Sequence, residues 1–274
     1  MCAGSADVHG LFETAVRLVD QHCPWARSLH IVTPEPRAAR ERLAPHRLRR
    51  WPVVHADRSV VPEPVMRLPG WFRQQYVKLH ADLVCDADQV VCIGADTLVL
   101  DPIGEHDLYR DGLPLLRFFR HDEPNPHLPF ERTRVLNVAA QLATQPVRTL
   151  LPGDFVCDLF PMAAAHLHAL RAHLDRLHGP YGLARVLGVL GQPRRPDNRT
   201  GEWTMYAVFV LDYLRDSTPL RLADRRWARQ IHTAEDLARR EPFAARIIHF
   251  VHEPGGTAGV LTDLEKSGRL TVPA

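Results

Sequence analysis

Residues 88–102 read DQVVCIGADTLVLDP, and this stretch decides the fold prediction. Val90 to Ile93 is a short apolar run rich in β-branched residues, which predicts a buried strand. The segment Gly94-Ala95-Asp96 interrupts the run, and a second apolar run follows from Leu98 to Leu100. Open α/β sheets bind their ligands beyond the carboxyl ends of their strands. Asp96 is therefore a candidate ligand-binding residue, and the alternative is a carboxylate in an ordinary polar turn.

Strand and helix patterns alternate on both sides of this stretch. Apolar runs predict further strands at residues 28–32, 53–61, 113–119, 154–160 and 244–252. Helical spacing of apolar residues predicts helices at residues 11–22, 37–43, 71–82, 134–144, 163–177 and 202–214. Such alternation favours an α/β fold with a mostly parallel central sheet and helices on both faces. Since no linker is evident, we expect residues 1–274 to form a single domain.

Composition narrows the class of protein. The chain has 274 residues, a net charge of +2, 45% hydrophobic residues and 24% charged residues, which is ordinary for a globular protein. No basic stretch is interleaved with aromatic residues, so we expect no nucleic-acid partner. No apolar run reaches the length of a membrane span. The five cysteines match neither a zinc site nor a redox pair, which favours a reduced, cytoplasmic protein.

Three further stretches carry a resemblance to a known family. They are Gly70 to Leu79 (GWFRQQYVKL), Glu202 to Val210 (EWTMYAVFV) and Ile247 to His252 (IIHFVH). The first two resemble helices of a poorly characterised bacterial family of GT-A-like glycosyltransferases, whose helix motif is GW-x-x-QQ-x-x-KL. Residues 88–103 resemble the metal-site strand of GT-A enzymes. The last stretch is similar to the carboxyl-terminal strand of some retaining GT-A enzymes, in which the histidine is a metal ligand.

This resemblance, which covers most of the chain from about Ser28, implies a GT-A-like fold and transfer of a sugar. The donor would be a nucleotide-diphosphate sugar, and the acceptor a glycan or a small molecule. A divalent cation, Mn²⁺ or Mg²⁺, would stabilise the charge that develops on the leaving diphosphate. The Asp-x-Asp of such enzymes falls on Gly94-Ala95-Asp96, so the first carboxylate is absent.

Asp96 would then be the surviving metal ligand. His249 is the second candidate, and an imidazole suits Mn²⁺ better than Mg²⁺. His252, three residues on in the same predicted strand, is a rival candidate. Three interpretations of the missing carboxylate remain open: a metal site with fewer protein ligands, a metal-free site that uses Lys or Arg, and a site without catalysis.

The resemblance also assigns residues around the donor. Thr33, at the end of an early strand, would contact the base or the ribose, and Ala95 would lie in the donor site. Gln75 and Lys78 would lie near the donor, with Lys78 on a phosphate or sugar oxygen. The alternative for Gln75 is that its amide caps neighbouring backbone.

An inverting transfer needs a general base near the acceptor hydroxyl. The resemblance favours Glu202, and Asp158 is second because it lies on a predicted strand. The alternative for Glu202 is a carboxylate that stabilises the N-terminus of its helix. A neighbouring Asp-x-Asp, residues 86–88, precedes its strand and is expected at the opposite end of the sheet.

Other functions compete with this one. A catalytically silent nucleotide- or sugar-binding protein on the same fold is the main alternative, and the missing carboxylate supports it. A nucleotidyltransferase is disfavoured because residues 1–10 contain no Lys or Arg. A dinucleotide-dependent oxidoreductase is disfavoured because no G-x-G-x-x-G follows a strand.

Overall fold

The structure is a computed structural model that describes residues 1–8, 10–120, 128–144, 153–155, 159–190, 201–214, 220–223, 227–231 and 245–250, together with 262 and 266. Its helices are α1 Ser5–Val8, α2 Phe12–His22, α3 Pro36–Leu43, α4 Glu63–Met66, α5 Gly70–Lys78, α6 Ala81–Cys85, α7 Leu128–Gln141, α8 Ala164–His178, α9 Gly182–Leu190 and α10 Glu202–Tyr213, with 3₁₀ turns at Asp57–Ser59 and Glu105–Asp107. Its strands are β1 His30–Thr33, β2 Val53–Ala56, β3 Gln89–Ile93, β4 Thr97–Val99, β5 Tyr109–Arg110, β6 Leu113–Pro114, β7 Leu116–Arg120, β8 Gly153–Asp154, β9 Leu159–Ala163, β10 Leu220–Ala223, β11 Ala228–Ile231 and β12 Ile247–Phe250.

The chain divides into two compact units. Unit 1 comprises Met1–Ala56, Ile93–Glu105 and Asp224–Ala274, and unit 2 comprises Asp57–Cys92 and His106–Ala223. Each unit is built from separate pieces of the chain. The expectation of a single GT-A-like domain over residues 1–274 stays a prediction.

Parallel strands in unit 1 follow a doubly wound order. β1 pairs with β2 in parallel, with His30 opposite Val53. On the other side of β1, Cys2 forms parallel bridges to Val32 and to Gly94, the residue that follows β3. Residues 1–3 form isolated bridges and are not a strand in their own right. If they are counted as the first position, then β1, β2 and the end of β3 are the second, third and fourth. They lie side by side in the order 3-2-1-4, which is the order of dinucleotide-binding folds.

Antiparallel strand pairs also occur, so the observed sheets differ from the mostly parallel sheet that the sequence predicts. The apolar run after the polar turn forms β4, which pairs antiparallel with β12, and β12 pairs in parallel with β11. β7 pairs in parallel with β10 and antiparallel with β8, and β5 pairs antiparallel with β6. The chain is therefore mixed α/β, as expected. The described strands form small sheets and do not show the mostly parallel central sheet that the sequence predicts.

The core of unit 1 is arranged around α2, whose apolar residues lie on two sides of the helix. Leu11, Ala15 and Leu18 pack with residues of β4 and β12, including Leu98 and Phe250. On its other side, Phe12 and Val16 of the helix belong to a second cluster. The other buried members of that cluster are Ala3, Val8, Ile31, Ala39, Leu43 and Ala95. Full burial of each large apolar side chain contributes about 1.5–3 kcal/mol. This packing holds the strands that carry residues 94–99 and 247–250.

Helix α10 is the central helix of unit 2, because every residue from Glu202 to Val210 is buried. It packs against α7, α8 and α5. The hydroxyl of Tyr206, which is fully buried, accepts a hydrogen bond from the Ala163 amide at 3.0 Å and bonds Nδ1 of His166 at 2.9 Å. Burial raises the pKa of this phenol. In the part of the chain described, none of the helices combines the length and apolar character needed to cross a bilayer.

Candidate functional site

Asp96 and His249 meet at one end of the β4–β12 pair. His249 lies opposite Thr97 in the antiparallel register, and the amide of Phe250 donates to the carbonyl of Asp96 at 3.0 Å. This backbone pairing brings Nε2 of His249 to 3.2 Å from Oδ2 of Asp96. The two side chains are 18% and 33% exposed. A carboxylate and an imidazole from distant parts of the sequence therefore face each other with access to solvent.

The pair lies at a place where doubly wound folds bind ligands. The amide of Cys2 donates a hydrogen bond to the carbonyl of Ile93, and the carbonyl of Cys2 accepts one from the amide of Ala95, both at 3.2 Å. Residues 1–3 therefore run beside the end of β3. The first and fourth strands are neighbours here, which is where the strand order 3-2-1-4 reverses. Ala95 is 1% exposed and its side chain packs in the core of unit 1. Asp96 thus lies three residues beyond Ile93, the last residue of β3, at a topological switch point.

The donor set suits a divalent cation. Two ligands that hold one cation at 2.0–2.2 Å are about 3 Å apart when their bonds are perpendicular, and Asp96 and His249 are separated by 3.2 Å. Within the described residues, no group of three or more His, Cys, Asp or Glu side chains could hold a metal ion. If Asp96 and His249 hold a cation, as the sequence predicts, phosphate or water oxygens would take other positions. His252 lies outside the described residues.

Thr33 stands at the end of β1, as expected, and it is fully buried. Its hydroxyl accepts a hydrogen bond from the Glu35 amide at 3.2 Å. This is a local bond that stabilises the turn before α3. Contact between Thr33 and a nucleotide stays a prediction.

Lys78 and Glu202 form an ion pair in unit 2. Nζ of Lys78 lies 2.6 Å from Oε1 of Glu202, and the side chains are 11% and 8% exposed. The ammonium also lies 4.4 Å from the ring centre of Trp203. Lys78 ends α5 and Glu202 begins α10, so each charge has the sign that its helix terminus favours. The structure therefore brings together two predicted site residues, Lys78 and Glu202. It also places Glu202 at the N-terminus of a helix, as the alternative interpretation of this residue expected.

Gln75 lies one helical turn before Lys78 and is 1% exposed. Neither Nε2 nor Oε1 of its amide has a hydrogen-bond partner in the described structure. The expectation that this amide caps neighbouring backbone is therefore wrong. A buried polar group without a partner costs about 1–3 kcal/mol. A ligand or a water molecule that bonds the amide would recover this free energy.

One pairing near these residues was not anticipated. Asp57 follows β2 directly and accepts a hydrogen bond from Nη1 of Arg73 at 2.8 Å. No signal in the sequence pointed to this pairing, because Asp57 falls inside the strand predicted over residues 53–61, whereas β2 ends at Ala56. The second general-base candidate, Asp158, lies outside the described residues.

Comparison with known proteins gives little at the level of sequence. No protein-family profile matches the chain, and no curated protein matches it. Among solved structures, the crystal structure of mouse xyloside xylosyltransferase 1 in its apo form matches with a TM-score of 0.49 and 12% sequence identity, over 90% of this chain and 96% of that chain. At this identity and TM-score we draw nothing from the likeness.

Proposed function

We propose that the chain is a glycosyltransferase that uses a nucleotide-diphosphate sugar. The observation that carries the proposal is the Asp96–His249 pair, which lies beyond the carboxyl end of a strand at the switch point of a 3-2-1-4 parallel arrangement. The sequence resemblance to GT-A enzymes rests on the same residues and supports the same conclusion. Carboxylate and imidazole are the ligands by which such a site would hold Mn²⁺.

The chemistry assigned to unit 1 is binding of the donor and stabilisation of its leaving group. Asp96 and His249 would hold a divalent cation, which when bound neutralises the charge that develops on the diphosphate. The turn at residues 94–96 would present its backbone to the donor. Thr33, at the end of β1, is proposed to contact the base or ribose through its backbone, since its hydroxyl already bonds Glu35.

The transfer breaks the bond between the anomeric carbon and the diphosphate oxygen. A new bond forms from an acceptor oxygen to that carbon, the nucleoside diphosphate leaves with the bonding electrons, and the acceptor proton passes to a base. Among the described residues, Glu202 is the base that we propose. Its carboxylate lies 2.6 Å from Nζ of Lys78, and a carboxylate is a group that commonly serves as general base.

Gln75 supports binding of a polyhydroxylated ligand in unit 2. Its amide offers two donors and an acceptor, which suits sugar hydroxyls. Because the amide is buried and has no partner in the described structure, a ligand that bonds it gains the free energy that the folded chain has lost. Lys78, one turn away, adds a positive charge for a phosphate or sugar oxygen.

Calorimetric titration with UDP, GDP, CDP and dTDP, each with Mn²⁺ and with EDTA, tests the proposal. We expect one nucleotide to bind with Mn²⁺ and to lose most of its affinity in EDTA. Asp88→Asn, in the neighbouring Asp-x-Asp, is the matched control because Asp88 is exposed and precedes β3. Absence of binding by all four nucleotides, with and without Mn²⁺, would overturn the assignment.

The second candidate is a nucleotide- or sugar-binding protein without catalysis. Gly94 in place of the first carboxylate favours it, as does the involvement of Glu202 in a buried ion pair. Hydrolysis or transfer of the sugar separates the two functions. A protein that binds one nucleoside diphosphate and releases none from the matching nucleotide sugar, with water or any acceptor, would be the silent binder.

A further inference from the structure

Gly94 occupies the position at which the expected first carboxylate is missing, and the structure shows what a side chain would meet there. A Cβ built on Gly94 collides with Oδ1 of Asp96 and lies 3.4 Å from both Cγ of Asp96 and Oγ1 of Thr97. The Asp96 carboxylate thus occupies the space that any side chain at position 94 would need.

The backbone does not explain this glycine. Among the described residues, the glycines with a positive φ are Gly112 and Gly179, so Gly94 has a backbone conformation that other residues adopt. Its backbone also makes an ordinary parallel bridge to Cys2. Because the atom that a Cβ would meet is the far end of the Asp96 side chain, a side chain at position 94 is accommodated by moving that carboxylate.

We infer that Gly94 is a positioning residue that lets the Asp96 carboxylate fold back toward His249. A side chain at position 94 would push Asp96 out of the orientation that places its Oδ2 at 3.2 Å from Nε2 of His249. The missing first carboxylate and the Asp96–His249 pair are then two aspects of one arrangement. Restoring an Asp-x-Asp by Gly94→Asp would break the pair. The consequence for cation binding rests on the proposed function, whereas the positioning of Asp96 does not.

A double-mutant cycle tests the positioning without any ligand. The free energy of unfolding would be measured for the wild type, Gly94→Ala, Asp96→Ala and the double variant. We expect Gly94→Ala to destabilise the wild type and to be neutral or slightly stabilising in the Asp96→Ala background, because Asp96→Ala removes the colliding atoms. Gly188→Ala is the control, since a Cβ there meets nothing within 4 Å. Equal destabilisation by Gly94→Ala in both backgrounds would overturn the inference.

The imidazole of His249 gives a second readout. The hydrogen bond from Nε2–H of His249 to Asp96 stabilises the tautomer that is protonated at Nε2. Nitrogen NMR of the imidazole reports which tautomer is present. The signal of His249 is the one that disappears in His249→Gln. We expect Gly94→Ala to shift the signal to that of Asp96→Ala, and an unchanged signal would contradict the inference. Calorimetry with MnCl₂ and the nucleotide then separates the two claims. A wild type that does not bind the nucleotide would count against the proposed function. The NMR shift and the double-mutant cycle decide the role of Gly94 independently of that result.

Discussion

Nε2 of His249 lies 3.2 Å from Oδ2 of Asp96, although 153 positions separate the two residues in the sequence. The antiparallel pairing of β12 with β4 creates this relationship, since it sets His249 opposite Thr97 and bonds Phe250 to the carbonyl of Asp96. Hydrogen bonds of the backbone, rather than a flexible loop, therefore determine where the two side chains meet.

Asp96→Asn is expected to lower the affinity for the nucleotide in Mn²⁺ by at least tenfold. An amide oxygen is a weaker ligand than a carboxylate for a hard cation. We expect a change in unfolding free energy of less than about 1 kcal/mol, because the side chain is 33% exposed. Calorimetry and urea unfolding provide the two measurements. An Asp96→Asn protein with the affinity of the Asp88→Asn control would remove Asp96 from the donor site.

Glu202→Gln is expected to destabilise unit 2 by about 3 kcal/mol, because it removes the negative charge that lies 2.6 Å from the largely buried ammonium of Lys78. Lys78→Met combined with Glu202→Gln should cost less than the sum of the two single substitutions. Glu63→Gln is the control, since its ion pair with Arg67 is largely exposed and contributes at most about 1 kcal/mol. Additive effects of the Lys78 and Glu202 substitutions in chemical denaturation would show that the pair is not coupled.

Gln75→Met separates a binding role from a structural one. Methionine has a similar length and no hydrogen-bonding requirement, so we expect the free energy of unfolding to stay the same or to rise. We also expect the rate of sugar transfer to fall by about tenfold if the amide bonds the ligand. Gln74→Met, on the half-buried neighbouring residue, is the control for both measurements. A stable Gln75→Met protein with full transfer activity would exclude the amide from ligand binding.

The folded protein is expected to lose stability below pH 6.5. Burial lowers the pKa of His80 to about 4, and its Nδ1 donates to the Tyr76 carbonyl at 2.9 Å. Because the unfolded chain binds the proton first, stability is complete above pH 6.5 and decreases toward pH 4, by about 3 kcal/mol for this residue.

His80→Asn keeps a donor and removes the titration, so we expect its unfolding free energy to vary less between pH 6.5 and pH 4. His106→Asn is the control because that imidazole is 87% exposed. Part of the pH dependence of stability will remain in His80→Asn, because burial also lowers the pKa of four other histidines. They are His22, His30, His55 and His166. Equal pH profiles for His80→Asn and His106→Asn would contradict the assignment.

Local pattern predicted most of the elements near the site. The β-branched run before Gly94 forms β3, and the helix at residues 202–214 is α10, which begins at Glu202. The helix predicted over residues 71–82 is instead two, α5 and α6, with residues 79–80 between them. These elements could be predicted from the sequence because apolar spacing and turn residues act within a few positions of the chain.

The sequence by itself determined the mixed α/β class and the candidates Asp96, His249, Gln75, Lys78 and Glu202, since strand ends, helix ends and a family resemblance are local features. Only the tertiary structure decided the side-chain partners. Asp96 meets His249, Lys78 meets Glu202, and the side-chain amide of Gln75 has no hydrogen bond among the described residues. It also decided that the second apolar run turns back to pair antiparallel with β12. Strand register and side-chain burial depend on contacts between distant segments, and composition and spacing do not encode them locally.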